Sequence, residues 1–168
     1  MPRSKLVGLL FDAWDDLERC LAGLDPALAV DASDGSSFAW TAGHLANHAD
    51  GWINVRIAGR QPHPLIGQPR FRAGGAGAAE DWPAIEAAIA EVREAARAFL
   101  DPLDEAGLDL VVPYDGSFAH LHGPGLPLRH ALMRVSAHVY FHIGEIASKR
   151  SALGHDVGDY PGQLRGTI

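Results

Sequence analysis

The sequence predicts an all-α fold, a four-helix bundle, on three observations. Four long stretches carry apolar residues at helical spacing. Ser, Asp, Gly and Pro fall between them where helices start and stop. Two of the stretches each hold a histidine pair four residues apart, His44/His48 and His138/His142. That spacing puts both rings on one helix face, one turn apart. Nine histidines in 168 residues would give roughly half such a pair by chance, so two are suggestive without being decisive.

The first helix is expected from Ser4 as its cap to about Gly23. Leu6, Leu9, Leu10, Ala13, Trp14, Leu17, Cys20 and Leu21 form its buried stripe. Cys20 on that stripe reads as a core thiol. Residues 25–37 read as a connector ending in the turn-like Ser33-Asp34-Gly35-Ser36-Ser37. The second helix starts near Ser37 to Thr41, either of which can cap it, and runs to Gly59. Residues 59–80 are rich in Gly and Pro and read as a long loop. Arg56 lies just before it, and Arg60, His63, Arg70 and Arg72 lie within it. These could face an acidic substrate, but the solvated reading is favoured.

Asp81-Trp82-Pro83 is a helix start, with Asp as N-cap and Pro in the first turn. Ile85, Ala88, Ile89, Val92, Ala95, Ala96, Phe99 and Leu100 then give the third helix its apolar stripe, and Pro102 and Gly107 close it. Glu91, Arg93, Glu94 and Arg97 read as a solvated face. In 108–126 the apolar run Leu108 to Val112, a Pro113-Tyr114-Asp115-Gly116 turn and the alternating Phe118 to His122 suggest a short β-hairpin or an ordered crossover. On a strand His120 and His122 would point the same way. The fourth helix begins at Pro127 or Leu128 and ends near Leu153, with Gly154 as its stop. Leu128, Ala131, Leu132, Val135, His138, Val139, His142, Ile146 and Lys149 trace one side, so both imidazoles are expected on the core stripe. The tail from Asp156 to Ile168 reads as an extended end, packed or partly loose. With no repeat, low-complexity tract or linker, residues 1–168 are expected to form one domain.

Composition narrows the function classes. Apolar content of 47% is ordinary for a globular protein. A net charge of −7 argues against nucleic acid as the main partner, since phosphate binding needs a basic face. One cysteine excludes an internal disulfide and a Cys-rich zinc knuckle. The N-terminal apolar run is broken by Asp12, Asp15 and Asp16, so neither a signal-peptide core nor a membrane span is expected and the simple reading is cytoplasmic.

Neutral imidazole is a good ligand for zinc, nickel, iron or copper. Three protein ligands leave an open position, as catalytic metals do. The four helical histidines could instead hydrogen-bond to one another or to Glu145, Asn47 or Asp50, and spacing alone does not separate the two readings. The metalloprotease pattern with Glu after the first His is absent, as are a serine nucleophile elbow and a phosphate loop.

The segment His138-Val139-Tyr140-Phe141-His142-Ile143-Gly144-Glu145-Ile146, with Leu153-Gly154 after it, resembles the last-helix signature of the DinB/YfiT-like superfamily. Glu145 stands where Gln is commoner. Trp40-Thr41-Ala42-Gly43-His44-Leu45-Ala46 is similar to the family's second-helix motif. The Asp81-Trp82-Pro83 start and the Val111-Val112-Pro113-Tyr114 crossover also resemble the family.

The resemblance implies an up-down-down-up four-helix bundle, often a homodimer. It implies a divalent metal (zinc, nickel or iron) held by three histidines, which by position are His44, His138 and His142. His48 is then a neighbour or substrate-side residue, with direct ligation left open. Arg56, Tyr140 and Glu145 are further candidates for substrate binding or for support of the ligands. Characterised relatives include S-transferases that use a low-molecular-weight thiol such as bacillithiol or mycothiol, a maleylpyruvate isomerase and a few hydrolases. The leading expectation is a metal-dependent thiol S-transferase or detoxification enzyme acting on a small molecule. Its reactive group would be a metal-bound thiolate or water, with no protein nucleophile. The competitors are a metal-dependent hydrolase, a non-catalytic metal-binding stress protein and a metal-free helical module.

Overall fold

A computed structural model describes residues 4–167. Met1 to Arg3 and Ile168, which belong to the expected N-terminal lead and tail, lie outside the described residues. The fold is mostly helical, with one two-stranded sheet.

α1 spans Lys5–Leu21. Ser4 is its cap, its hydroxyl accepting from the Leu6 amide at 3.3 Å. Leu10, Ala13, Trp14, Leu17 and Cys20 are buried. The chain leaves α1 through Gly23 at φ +69°, a backbone region that disfavours side chains. The connector predicted over 25–37 contains a helix of its own, α2, Pro26–Val30. The Asp25 carboxylate caps it through the Ala27 and Leu28 amides, and Pro26 opens it. Five residues are too few for an apolar period, which is why the sequence pattern conceals it.

α3 spans Phe38–Ala49. Ser37, not Thr41, is the N-cap and accepts from the Trp40 amide at 3.0 Å. The expected single α-helix to Gly59 ends early, because Asp50–Ile57 is wound as a π-helix. Its polar side chains are used outside or across the ordinary ladder. Asn54 Nδ2 donates to the Asp50 carboxylate and to the Val92 carbonyl, and Arg56 donates to the Gly51 carbonyl at 2.7 Å. Such widened turns concentrate near functional sites.

α4 spans Trp82–Leu100 and is capped by Asp81, which accepts from the Ala84 amide. Its charged face is not merely solvated. Arg97 lies 4.0 Å over the Phe11 ring and Arg93 5.8 Å over Trp14, each facing a carboxylate of α1. The hairpin forms with different partners from those the alternation suggests. β1, Val111–Val112, pairs antiparallel with β2, Leu126–Pro127. Ala119–Leu121 is a 3-10 turn, so His120 and His122 do not share a strand face. His122 Nε2 donates to the Gly116 carbonyl at 2.6 Å instead.

α5 spans Leu128–Ala152. α1 packs on α5, and α3 packs on both α4 and α5. Leu10, Leu17, Phe38, Ile53, Ile85 and Leu132 fill the centre. On α5 the core positions are Leu128, Ala131, Leu132, Val135, Val139, Ile143 and Ile146. His138 and His142 are half-buried and sit at the edge of that stripe, one position off its centre. The tail is packed. The Gly162 amide donates to Asp16 at 2.8 Å and the Gly166 amide to Asp12 at 2.9 Å.

Candidate metal centre

Three imidazoles meet where α3 crosses the middle of α5. His44 on α3 and His138 and His142 on α5 bring one ring nitrogen each to within 4.8 Å of the others. His44 Nε2 and His138 Nε2 are 3.0 Å apart. The other nitrogens are already engaged. His44 Nδ1 is 2.7 Å from the Phe71 carbonyl, which can only accept, so Nδ1 carries the proton and Nε2 a lone pair. His142 Nδ1 donates to the Glu145 carboxylate, so in the neutral ring Nε2 is the nitrogen that keeps a lone pair.

A carbonyl or carboxylate behind an imidazole is the usual support of a metal ligand. With the His138 ring in its Nε2–H tautomer, the 3.0 Å contact is a hydrogen bond between neutral rings. In the other tautomer all three lone pairs converge. Nitrogens bound tetrahedrally at zinc distances lie about 3.3 Å apart, close to this spacing. The donor set and its supports therefore fit a divalent ion.

Burial favours the neutral form of His44 and His138. Desolvation first, then the neighbouring His142, His44 and Arg134, pushes His138 down to about 4. Burial likewise lowers His44, against the opposing Phe71 hydrogen bond. Neutral rings are the form a metal binds, so protons compete weakly at pH 7.

The loop over 59–80 is lashed to α3 by three side chains. Trp40 Nε1 donates to the Arg70 carbonyl, His44 Nδ1 to the Phe71 carbonyl and Asn47 Nδ2 to the Ile66 carbonyl, each at 2.7 Å. Phe71 and Ile66 are fully buried. Phe71 is a site residue that the sequence reading missed. The available signal was three large apolar residues, Leu65, Ile66 and Phe71, in a loop otherwise rich in Gly, Pro and Arg.

The remaining candidates separate. Glu145 supports His142 directly. His48 is not in the three-histidine group, but its ring centre is 4.2 Å from that of His138. Both its ring nitrogens are buried without a hydrogen-bond partner among the described residues, and burial drives its pKa down to about 2. Arg56 lies 5.0 Å over the Trp52 ring and lines a cavity of about 490 Å³ with His48, Asn47 and Arg72. Tyr140 is not brought to the cluster. Its hydroxyl donates to Asp16 at 3.1 Å on the α1 side of the helix, and burial raises its pKa above the ordinary value.

The sequence reading also missed an aromatic wall. Trp52 stacks at 6.0 Å on Tyr114 and at 5.7 Å on Phe118, with Arg134 over both Trp52 and Phe118.

The family model described as the DinB superfamily matches residues 9–146, a span that includes all three clustered histidines. No curated protein matches the chain.

Proposed function

The chain belongs to the DinB superfamily, and from that premise we propose that it is a metal-dependent enzyme of the thiol S-transferase type. We read residues 1–168 as one domain, an up-down-down-up bundle, working as a cytoplasmic homodimer on a small molecule. No helix among the described residues is long and apolar enough to cross a membrane, which agrees with that setting.

The observation that carries the reading is the oriented histidine triad. His44, His138 and His142 would hold the ion, and Phe71 and Glu145 set the tautomers of His44 and His142. Zinc, nickel and iron all suit three imidazoles, so availability chooses among them. When bound, a divalent ion there supplies a Lewis acid that lowers the pKa of a thiol or a water beside it.

The chain's own residues do the rest. The buried, unpartnered nitrogens of His48 offer a substrate one donor and one acceptor next to His138. Trp52 and Phe118 offer flat apolar surface to an electrophile. The low-dielectric surround of His44 and His48 excludes water from one side of the triad.

Elemental analysis of the purified protein is the first test, followed by a thiol-plus-electrophile screen on the metal-loaded form. About one ion per chain is expected, lost in His142→Ala. Retention of full stoichiometry by that variant would sink the ligand assignment. Turnover of an electrophile only with added thiol marks a transferase, and turnover without thiol marks a hydrolase. Metal without turnover of either kind marks a binding protein.

A further inference from the structure

α5 carries His130, Arg134, His138 and His142 at successive intervals of four residues. Each interval is one turn and about 6 Å of rise. The two later residues belong to the histidine triad, and the two earlier ones have no part in it. A groove of about 490 Å³ joins the halves, lined by His130, Met133, Arg134, Ala137, His138 and Phe141. A small molecule lying in that groove against His138 also touches Arg134.

Among the described residues Arg134 stacks on rings with neither an ion pair nor a hydrogen bond, whereas Arg56, which also stacks on Trp52 without a carboxylate, donates to the Gly51 carbonyl. The Arg134 Cζ lies 4.5 Å over Phe118 and 5.1 Å over Trp52, which hold the plane of the guanidinium. A stacked guanidinium keeps its in-plane N–H edge for an acceptor. Arg19, Arg93 and Arg97 also stack on rings, and each has a carboxylate within ion-pair distance. Arg134 has none among the described residues, in a chain of net charge −7. His130 also lines the groove, and its Nε2 is buried without a hydrogen-bond partner among the described residues. A buried polar atom left unpaired is a position where a ligand atom fits. The local field is positive as well, since the charge of Arg134 helps to lower the pKa values of His130, His138 and His48. Exposed Met133 and Phe141 flank the groove and suit an organic acid better than a bare inorganic anion.

We propose that Arg134, with His130 beside it, forms a carboxylate-binding subsite one helical turn from the histidine triad, so that a molecule handled here carries a carboxylate. This rests on the reading of the triad as a reaction centre. The guanidinium edge pairs with the carboxylate, and His130 Nε2 supplies a further polar contact. The rest of the ligand runs along the groove toward His138.

The experiment measures dissociation constants by calorimetry for two pairs of probes, on metal-free and metal-loaded protein. The first pair is 3-mercaptopropionate against 2-mercaptoethanol. The second is succinate against its neutral diamide. A preference of about ten-fold or more for the carboxylate is expected in at least one pair, lost in Arg134→Gln and partly kept in Arg134→Lys. A preference confined to the thiol pair places the carboxylate on the thiol, whereas one in the succinate pair places it on the other substrate.

The absence of any preference that depends on Arg134, in both pairs, overturns the subsite. The succinate arm on metal-free protein needs neither metal nor turnover, so it is read even if the triad proves to bind no ion. Arg134 is exposed, so its substitution leaves the fold intact, which the melting temperature checks.

Discussion

Glu145→Ala removes the carboxylate behind His142 and nothing from the triad itself. In the wild type that carboxylate accepts the Nδ1 proton, which selects the tautomer of the neutral ring whose Nε2 keeps the lone pair. Without it the ring is free to take the other tautomer, which points an N–H at the metal position. Loss of such a support typically weakens metal affinity 10- to 100-fold. The carboxylate is 60% exposed while the imidazole is only 12% exposed, so water screens the charge and replaces part of the hydrogen bond. The lower end applies, about ten-fold or 1.4 kcal/mol. Competition against a chromophoric chelator at pH 7 measures it. The melting temperature of the metal-free variant should stay close to wild type, because an exposed surface group contributes within about 0.5 kcal/mol. A metal dissociation constant within about two-fold of wild type would refute the claim that this pair orients a ligand.

Three further outcomes test the surrounding structure. Gly43→Ala drives a Cβ to within 2.6 Å of the Phe71 ring. Overpacking should cost about 1–3 kcal/mol in chemical denaturation and weaken metal binding too, since the Phe71 carbonyl orients His44. Arg150→Ala removes the buried Nη1 donor to the Cys20 and Ala22 carbonyls at the end of α1. It should destabilise by about 2–4 kcal/mol with metal stoichiometry unchanged, and a loss below about 0.5 kcal/mol counts against that role. Metal-free protein should lose stability as pH falls from about 6.5 toward 4. His138 is lowered to about 4 and His48 to about 2, so in that window the unfolded chain binds more protons than the folded one. Denaturant melts in chelator at pH 7 and pH 5 should differ by about 1–3 kcal/mol, and a flat profile would contradict the neutral-ring assignment.

The long helices were legible because their signals are local. Ser4, Ser37 and Asp81 cap the helices that follow them through their own side chains. The stripe of α1 repeats often enough to show its period. α2 was hidden by its length, and the π-helical turns of 50–57 by their cause, since Asn54 is bonded to a carbonyl of α4 that no local pattern reveals. The strand partner of Val111–Val112 was misread for a similar reason. Phe118 to His122 alternates like a strand, yet its aromatic residue stacks on Trp52, and Leu126–Pro127 closes the ladder.

The candidate site divides along the same line. Histidine spacing named the donors on α5, because four residues always return to the same helix face. The choice of His44 over His48 came through a motif resemblance, and spacing within α3 could not make it.

Sequence by itself determined the helical class, the main caps, the exclusion of cysteine-based sites and the pool of histidines. Only the tertiary structure decided which nitrogen of His44 is protonated, because the Phe71 carbonyl that does so lies 27 residues away in a loop. Only it showed Tyr140 turned toward Asp16 and Arg134 lying over the Trp52 and Phe118 rings. Tautomer, burial and charge pairing are properties of contacts between distant segments, and a one-dimensional pattern records only neighbours along the chain.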